Sequence, residues 1–302
     1  MQYLALLSLS LIWGASFLFI KVLLDYFTPF GIVFYRSLFG VVTIFIIMLI
    51  LKKPLIPEKL PWVIIIIAGI LNCFIPWSLF GLSETLISSS MASILNATTP
   101  IWTLMMGIFF FSTKSTFVQW MGIIIGFIGI IVMSGIDIRQ LSIDNTYGFI
   151  AASLAPVFYG FSTQLINRFL KVLTNYQTSF YILLVTAISS GIAVGLTSSF
   201  NFNYFITDPS ILISIIGLGC FGSGIAFIIY FYLVYKKGAE YASLVTYLVP
   251  ASAILWGMTI LSENINRSMI IGLLLILFGV YLSGRNKDKK LLPRKVKATK
   301  AR

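Results

Sequence analysis

Ten apolar stretches, each about as long as a membrane-crossing helix, dominate this sequence and limit what it can fold into. A helix needs about 20 apolar residues to span the hydrocarbon core of a bilayer. The stretches cover residues 3–24, 28–51, 61–82, 88–110, 117–135, 147–167, 177–197, 210–233, 241–262 and 268–284. Because the chain is 59% hydrophobic and only 10% charged, a soluble fold of 302 residues could not bury this much apolar surface. We therefore predict an all-α membrane protein with ten transmembrane helices.

The basic residues indicate how these helices are oriented. Lys and Arg collect in the cytosolic loops of membrane proteins. If the N-terminus is cytosolic, 17 of the 21 Lys and Arg residues lie on the cytosolic side and three on the outer side, with Arg36 inside a span. This split predicts that both termini are cytosolic. Nine of the 17 belong to the tail, residues 285–302, so the net charge of +12 does not require nucleic acid as a partner.

The first span is expected to stay in the membrane rather than to be removed as a signal peptide. No charged segment precedes Tyr3, and no small-residue cleavage site follows the first apolar stretch. The expected surroundings of the whole chain are therefore a lipid bilayer.

The chain repeats itself after about 150 residues. Pairs at a spacing of 146 to 150 residues are Trp13 with Tyr159, Pro100 with Pro250, Gly122 with Gly272, and Gly129 with Gly279. We divide the chain into a first repeat, 1–138, a second repeat, 146–284, and a basic cytosolic tail, 285–302. Since each repeat holds five spans, an odd number, the second repeat is predicted to be inverted in the bilayer. Inverted repeats are typical of secondary transporters, whose halves rock about a site near the midplane.

Five segments are similar to one family of membrane transporters. They read LIWGASFLFIK (11–21), PFGIVFYRSLFG (29–40), SSSMASILNATTPIWTLMMGIFF (88–110), GAEYASLVTYLVPASAILWGMTILSE (238–263) and IIGLLLILFGVYLSG (270–284). Over residues 3–285 the chain resembles the EamA type of the drug/metabolite transporter superfamily. The resemblance implies a permease of the bacterial inner membrane, often an exporter of amino acids, other small metabolites or drugs. The acid that often follows the fourth and ninth spans in that family is present as Glu263, whereas Thr113 occupies the matching place in the first repeat.

We expect a secondary transporter that moves a small organic solute, such as an amino acid or a drug-like molecule, outward by alternating access. The alternatives are an importer or exchanger of another metabolite class, and a polytopic membrane protein that does not transport. An enzyme is not expected, because the chain has no His and no nucleophile or phosphate-binding motif. No cofactor and no metal are expected. Proton coupling has only Glu84 and Glu263 as candidates, both near the outer ends of spans.

Pro100 and Pro250 lie at matching positions within spans, each with a polar residue four positions earlier: Asn96 before Pro100 and Thr246 before Pro250. A proline inside a helix lacks its N–H and displaces the carbonyl four residues before it. In lipid a freed carbonyl must face protein or a watery cavity. Both kinks are therefore predicted to face inward, either to line a cavity or as helix bends whose carbonyls are satisfied locally.

Polar and aromatic side chains inside the spans are further candidates for binding the solute. They are Trp13, Asn72, Trp77, Tyr159, Thr163 and Tyr230. Trp13 and Tyr159 lie near the midplane rather than in the interfacial belts where Trp and Tyr collect. Any one of the polar groups is equally explained by an interhelical hydrogen bond.

Arg36 is the one charge well inside a predicted span. A buried Arg costs about 2.5–3.5 kcal/mol on insertion scales, so it needs a partner or a task. One interpretation is a structural Arg that reaches the outer interface or bonds to backbone carbonyls. The other is an Arg that binds the carboxylate of a substrate.

Small residues recur on the fifth and tenth spans, at Gly122, Gly126 and Gly129 and again at Gly272 and Gly279. Small residues let membrane helices approach closely. These positions are predicted to be helix-packing faces, and they leave a homodimer contact open.

The predicted orientation can be tested with reporter fusions after Gly284. A green fluorescent protein fused there should be fluorescent and an alkaline phosphatase inactive, because the first works in the cytosol and the second only outside it. An active phosphatase would show that the number of spans or their orientation is wrong.

Overall fold

The chain is helical throughout most of residues 2–134, 146–197, 208–261 and 267–284, which the computed structural model describes. The helices are α1 (Gln2–Leu24), α2 (Pro29–Ile50), α3 (Trp62–Glu84), α4 (Ser89–Asn96), α5 (Thr99–Phe111), α6 (Phe117–Ser134), α7 (Thr146–Phe169), α8 (Asn175–Thr197), α9 (Pro209–Lys237), α10 (Ala239–Ser243), α11 (Val245–Leu261) and α12 (Arg267–Gly284). No strand occurs within those ranges.

These helices confirm a multi-pass, all-α membrane protein. Within the described ranges, eight helical stretches are long and apolar enough to cross a membrane, and the apolar stretch Phe117–Met133 is slightly shorter. The predicted ninth span falls on α10 and α11. The count of ten, the inversion of the second repeat and the cytosolic position of both termini stay predictions. Residues 135–145, between the repeats, and the basic tail lie outside the described residues.

Apolar side chains cover much of the outer surface. Ile50, Val63, Phe109 and Leu196 are each 70% or more exposed. A soluble monomer rarely exposes large contiguous apolar patches, because water disfavours them. Lipid tails impose no such penalty, so this surface fits a bilayer.

Helices α3 and α9 each contain a π-helical segment, Ile70–Phe74 in α3 and Ile216–Ile225 in α9. In a π-helix the backbone bonds run from residue i to i+5, which widens the turn and shifts the side chains that follow. The two segments overlap when the halves are aligned at a spacing of 150 residues. They place Asn72 and Ser223 in the interior, where both are buried.

The two prolines differ in their structural setting. Pro100 begins a new helix: α4 ends at Asn96, and α5 starts at Thr99. Proline is tolerated in a first turn, because the N–H it lacks has no intrahelical partner there. The Asn96 carbonyl accepts a hydrogen bond from the Thr99 hydroxyl and is satisfied locally. Pro250 lies inside α11, and the chain breaks earlier, at Leu244.

The glycine faces of α6 and α12 pack against each other within the chain. A Cβ added at Gly122 would lie 2.6 Å from the Ser283 amide nitrogen and 2.7 Å from the Gly279 carbonyl oxygen. A Cβ at Gly129 would lie 2.8 Å from the Gly272 carbonyl oxygen. The glycine faces therefore pack these two helices together, but they are buried within one chain. A homodimer would need another surface, and the oligomeric state stays a prediction.

A hydrogen bond joins the two halves at the predicted outer side. The Tyr26 hydroxyl, between α1 and α2, donates to Asp208 Oδ2 at 3.0 Å, just before α9. The Ser210 amide donates to Asp208 Oδ1 at 2.8 Å. Hydrogen bonds from Ser210 and then Tyr26 lower the pKa of Asp208, and the bond to Asp208 raises the pKa of Tyr26.

Substitution of Gly122 by Ala tests the close approach of α6 and α12. Gly122→Ala should lower the free energy of unfolding by about 1–3 kcal/mol, since backbone atoms block the added methyl group. The control is Gly195→Ala on α8, where an added Cβ meets nothing within 4 Å. Thermal unfolding of the purified proteins in detergent measures the difference. Equal melting temperatures for the two variants would contradict the packing described.

Candidate functional site

A cavity of about 90 Å³ lies among seven spans. It is lined by Trp13, Ser16, Phe17 and Ile20 of α1, Arg36 of α2, Asn72, Trp77 and Phe80 of α3, Asn96 of α4, Thr99 of α5, Tyr159 of α7, Phe227 and Tyr230 of α9, and Thr246 and Val249 of α11. One water molecule needs about 10–15 Å³ of such space, so the cavity has room for several water molecules or part of a small organic solute.

Eight of the eleven residues proposed from the sequence line this cavity: Trp13, Arg36, Asn72, Trp77, Asn96, Tyr159, Tyr230 and Thr246. Asn96 and Thr246, at matching positions of the two halves, both line this cavity. Pro100, Pro250 and Thr163 are not among the lining residues. Thr163 lies behind the wall, with its hydroxyl 2.9 Å from the Tyr230 hydroxyl.

Sequence reasoning missed Ser16, Phe17, Ile20, Phe80, Thr99, Phe227 and Val249. Two signals could have found them. Ser16, Phe17 and Ile20 follow Trp13 by three, four and seven residues, which places them on one face of α1. Phe80 and Phe227 lie 150 residues from the proposed residues Tyr230 and Trp77. Thr99 and Val249 lie 150 residues from each other.

Aromatic rings form nearly half of the wall. Seven of the fifteen lining residues are aromatic. Ring centroids are 5.3 Å apart for Trp13 and Tyr230, 5.5 Å for Trp77 and Phe227, and 6.2 Å for Phe80 and Tyr159. Such pairs pack favourably beyond the area they bury, so ring contacts link α1 and α3 to α9, and α3 to α7.

Ten lining residues form pairs that occupy matching positions of the two halves. The pairs are Trp13 with Tyr159, Trp77 with Phe227, Phe80 with Tyr230, Asn96 with Thr246, and Thr99 with Val249. Trp13 matches Tyr159, and Tyr230 matches Phe80, so the contact between Trp13 and Tyr230 corresponds to the contact between Tyr159 and Phe80. Both contacts are present, so the two halves build the wall in the same way.

Polar groups in and behind the wall are bonded across helices. Trp13 Nε1 donates to the Gly222 carbonyl at 2.9 Å, from α1 to α9. Asn72 Nδ2 donates to Ser162 Oγ at 2.8 Å, from α3 to α7. Asn72 therefore makes the interhelical bond that was one of its two interpretations, and it also reaches the cavity.

Arg36 is the only charged side chain among the described residues that line the cavity. It is 6% exposed. Its Nε donates to Ser223 Oγ at 3.2 Å, and the Ser223 hydroxyl donates to the Leu218 carbonyl at 3.0 Å. The guanidinium carbon lies 3.6 Å from the centroid of a Trp77 ring, a cation–π contact. Among the described residues no carboxylate forms an ion pair with it.

The family follows from a match to both halves of the chain. The sequence model described as the EamA-like transporter family matches residues 1–135 and residues 146–285. The chain belongs to the EamA-like transporter family. The resemblance that its five segments suggested is confirmed.

Relatives of this EamA-family transporter are similar to it over nearly their full length. An uncharacterized transporter of Archaeoglobus fulgidus is 25% identical, over 91% of this chain and 95% of its own. The uncharacterized transporter YoaV of Bacillus subtilis is 23% identical, with 93% and 95% covered. YedA of Escherichia coli K12, named an uncharacterized inner membrane transporter, is 23% identical, with 92% and 89% covered.

A solved crystal structure has the same fold. It superposes with a TM-score of 0.79 at 16% sequence identity and covers 95% of this chain and 98% of its own. At this identity the likeness concerns the fold alone.

Two carboxylates of this EamA-family transporter are buried away from the cavity wall. Glu84, at the end of α3, is 1% exposed. Glu240, on α10, accepts a hydrogen bond from Gln164 Nε2 at 3.0 Å, and the same nitrogen donates to the Thr103 carbonyl at 2.9 Å. Glu263 lies outside the described residues. Proton coupling therefore stays a prediction.

Replacing Asn72 by Leu tests its bond to α7. Asn72→Leu should lower the free energy of unfolding by about 1 kcal/mol, because the buried Ser162 and Thr163 hydroxyls lose a donor. Unfolding in mixed micelles measures the change. Thr85→Val, which removes an exposed hydroxyl that bonds only within its own turn, should change it little. If Asn72→Leu is as stable as Thr85→Val, the amide contributes no net stabilisation across the helices.

Proposed function

We propose that this EamA-family protein is a secondary transporter that carries a small organic solute outward across a bacterial cytoplasmic membrane. One observation supports this above all: the two halves contribute matching residues to a single cavity. A cavity that both halves line is where a solute would be held while the halves move relative to each other. The names of the relatives support transport rather than catalysis.

Alternating access would use the two broken or widened spans of each half. The π-helical segments of α3 and α9 and the breaks before α5 and α11 lie in four spans that all line the cavity. Such irregular turns absorb backbone changes with less cost than a regular helix, because their bonds are already rearranged. The close pair α6 and α12 contributes no lining residue among the described ones and would stay packed.

The proposed direction of transport rests on the family resemblance, and the proposed membrane is supported by the name of one relative. The EamA resemblance implies export, and YedA is named an inner membrane transporter. The predicted cytosolic termini agree with this placement.

Cysteines at positions 96 and 246 test alternating access in a protein whose Cys73 and Cys220 have been replaced. If the second half is inverted, Asn96 lies about 6 Å outward of Pro100 by helix rise, and Thr246 about as far inward of Pro250. A cysteine at 96 should react with an impermeant thiol reagent added outside. A cysteine at 246 should react with reagent added at the cytosolic face.

Both positions line one cavity, so a saturating transported solute should slow both reactions. The control is a cysteine at Lys171, an exposed residue between α7 and α8 that is not among the lining residues, and whose labelling from the cytosolic face the solute should leave unchanged. Uptake of labelled amino acids, nucleosides and cationic drugs into inverted vesicles or proteoliposomes identifies the solute. Labelling of both positions from the same side in every condition would exclude alternating access through this cavity.

A further inference from the structure

The guanidinium of Arg36 is fixed on two sides and open on a third. Its Nε is bonded to Ser223, and one of its faces lies on Trp77. Its two terminal nitrogens, Nη1 and Nη2, have no hydrogen-bond partner among the described residues. They are also not fully buried, because the described polar atoms that are fully buried without a partner do not include them. Arg36 lines the cavity, and we infer that the edge that carries these nitrogens faces the cavity space.

Ser223 makes this orientation specific. Its hydroxyl hydrogen goes to the Leu218 carbonyl, so its oxygen is left as an acceptor for Arg36 Nε. The π-helical segment that contains both residues gives Ser223 this position. Arg36 comes from the first half and Ser223 from the second, so the orientation of the guanidinium depends on the contact between α2 and α9.

We propose that the solute is an organic anion with one carboxylate and a flat apolar body, and that Nη1 and Nη2 of Arg36 bind the carboxylate. This inference rests on the proposed function, because it names the class of solute that the transport cavity takes. Two parallel N–H donors of a guanidinium match the two oxygens of a carboxylate. The rings of Trp13, Phe80 and Phe227 supply apolar faces for the body of the solute.

The charge of the cavity sets the charge of the solute. A single guanidinium balances one negative charge, whereas a phosphate ester would leave further charge uncompensated in a low-dielectric site. No carboxylate is among the described lining residues, so a cationic solute would find no oppositely charged partner there and would be repelled by Arg36. The site therefore favours a carboxylate over the matching alcohol, amine or phosphate.

If Arg36 has only a structural role, a different result is expected. In that case its bond to Ser223 would only hold α2 against α9. Ligand charge would then not affect binding. The two roles can be separated by comparing ligands that share a body and differ in charge.

The experiment measures binding to the purified full-length protein at pH 7 by thermal stabilisation and by intrinsic tryptophan fluorescence, to which the cavity residues Trp13 and Trp77 contribute. The probes are benzoate, phenylacetate and indole-3-acetate, each compared with its alcohol and its amine, together with phenyl phosphate. At least one carboxylate should bind on the order of tenfold more tightly than its alcohol and amine. If no carboxylate does so, or if phenyl phosphate binds best, the inference is wrong.

Variants then assign the effect to Arg36. Arg36→Gln should weaken carboxylate binding on the order of ten- to a hundredfold and leave binding of the alcohol unchanged. Arg36→Lys should restore part of the loss, since it keeps the charge without the paired donors. Arg168→Gln, at the exposed end of α7, is the matched control and should bind like the unchanged protein. Carboxylate binding that survives in Arg36→Gln would overturn the inference.

Ser223→Ala covers the case in which Arg36→Gln does not fold. It keeps the charge and removes only the Nε acceptor, so carboxylate binding should weaken severalfold while alcohol binding does not change. If neither Ser223→Ala nor Arg36→Lys alters carboxylate selectivity, the open edge of Arg36 is not the binding group.

Flux in proteoliposomes separates this inference from the proposed function. Transport of a neutral or cationic solute that does not depend on Arg36 would overturn the carboxylate class and leave the transporter intact. Carboxylate binding at Arg36 without any flux of the same carboxylate would support the site and contradict the proposed transport.

Discussion

Hydrocarbon offers no hydrogen bonds, and every polar group inside the spans must find its partner within the protein. Many polar groups in the described spans bond to a neighbouring helix or back to their own helix. Trp13 bonds to the backbone of α9, Asn72 bonds to α7, and Thr99 bonds to the carbonyl that Pro100 leaves without its amide. The same requirement makes the open edge of Arg36 conspicuous, since a buried donor without an acceptor is costly unless water or a ligand supplies one.

The cavity combines a wall that both halves share with a charge that only one half supplies. The matched aromatic pairs give the two sides of the wall similar shape and chemistry, as expected for a duplicated chain. Arg36 and Asn72 have Ile182 and Gly222 at the matching positions, so the second half contributes no equivalent of either. The duplication thus accounts for the shape of the site, and the differences between the copies account for its polarity. A bound anion would therefore have one defined orientation between the halves.

The sequence predicted most of the membrane architecture and the larger part of the cavity. Runs of apolar residues identify spans because length and hydropathy are local properties. Repeat spacing found Trp13 with Tyr159, because matching positions in duplicated halves meet similar surroundings. The contact of Arg36 with Ser223 could not be predicted, since it depends on a π-helical segment that shifts the register of α9. Likewise, Glu240 is buried against Gln164, 76 residues away in the chain, and no local pattern marks such a partner.

The break before α5 illustrates a second limit. Pro100 and Pro250 align in the two halves and follow polar residues at the same distance, so the sequence predicts the same kind of helix kink at both. In the structure one proline starts a helix and the other lies within a helix, because the residues around them pack differently. Aligned positions can therefore share a place in the fold without sharing a backbone conformation.

Helix α9 has 29 residues, and at 1.5 Å per residue it would reach about 43 Å if every turn were α-helical. The hydrocarbon core of a bilayer is about 30 Å thick, so a helix of this length must tilt or extend into the headgroup region. Its last turn carries Lys236 and Lys237, whose long side chains can anchor that end among the lipid phosphates. Bilayer thickness would then affect the tilt of α9. Through Ser223 it would also affect the orientation of the Arg36 guanidinium. The lipid acyl chain length would thereby become a variable in how well the cavity holds a solute.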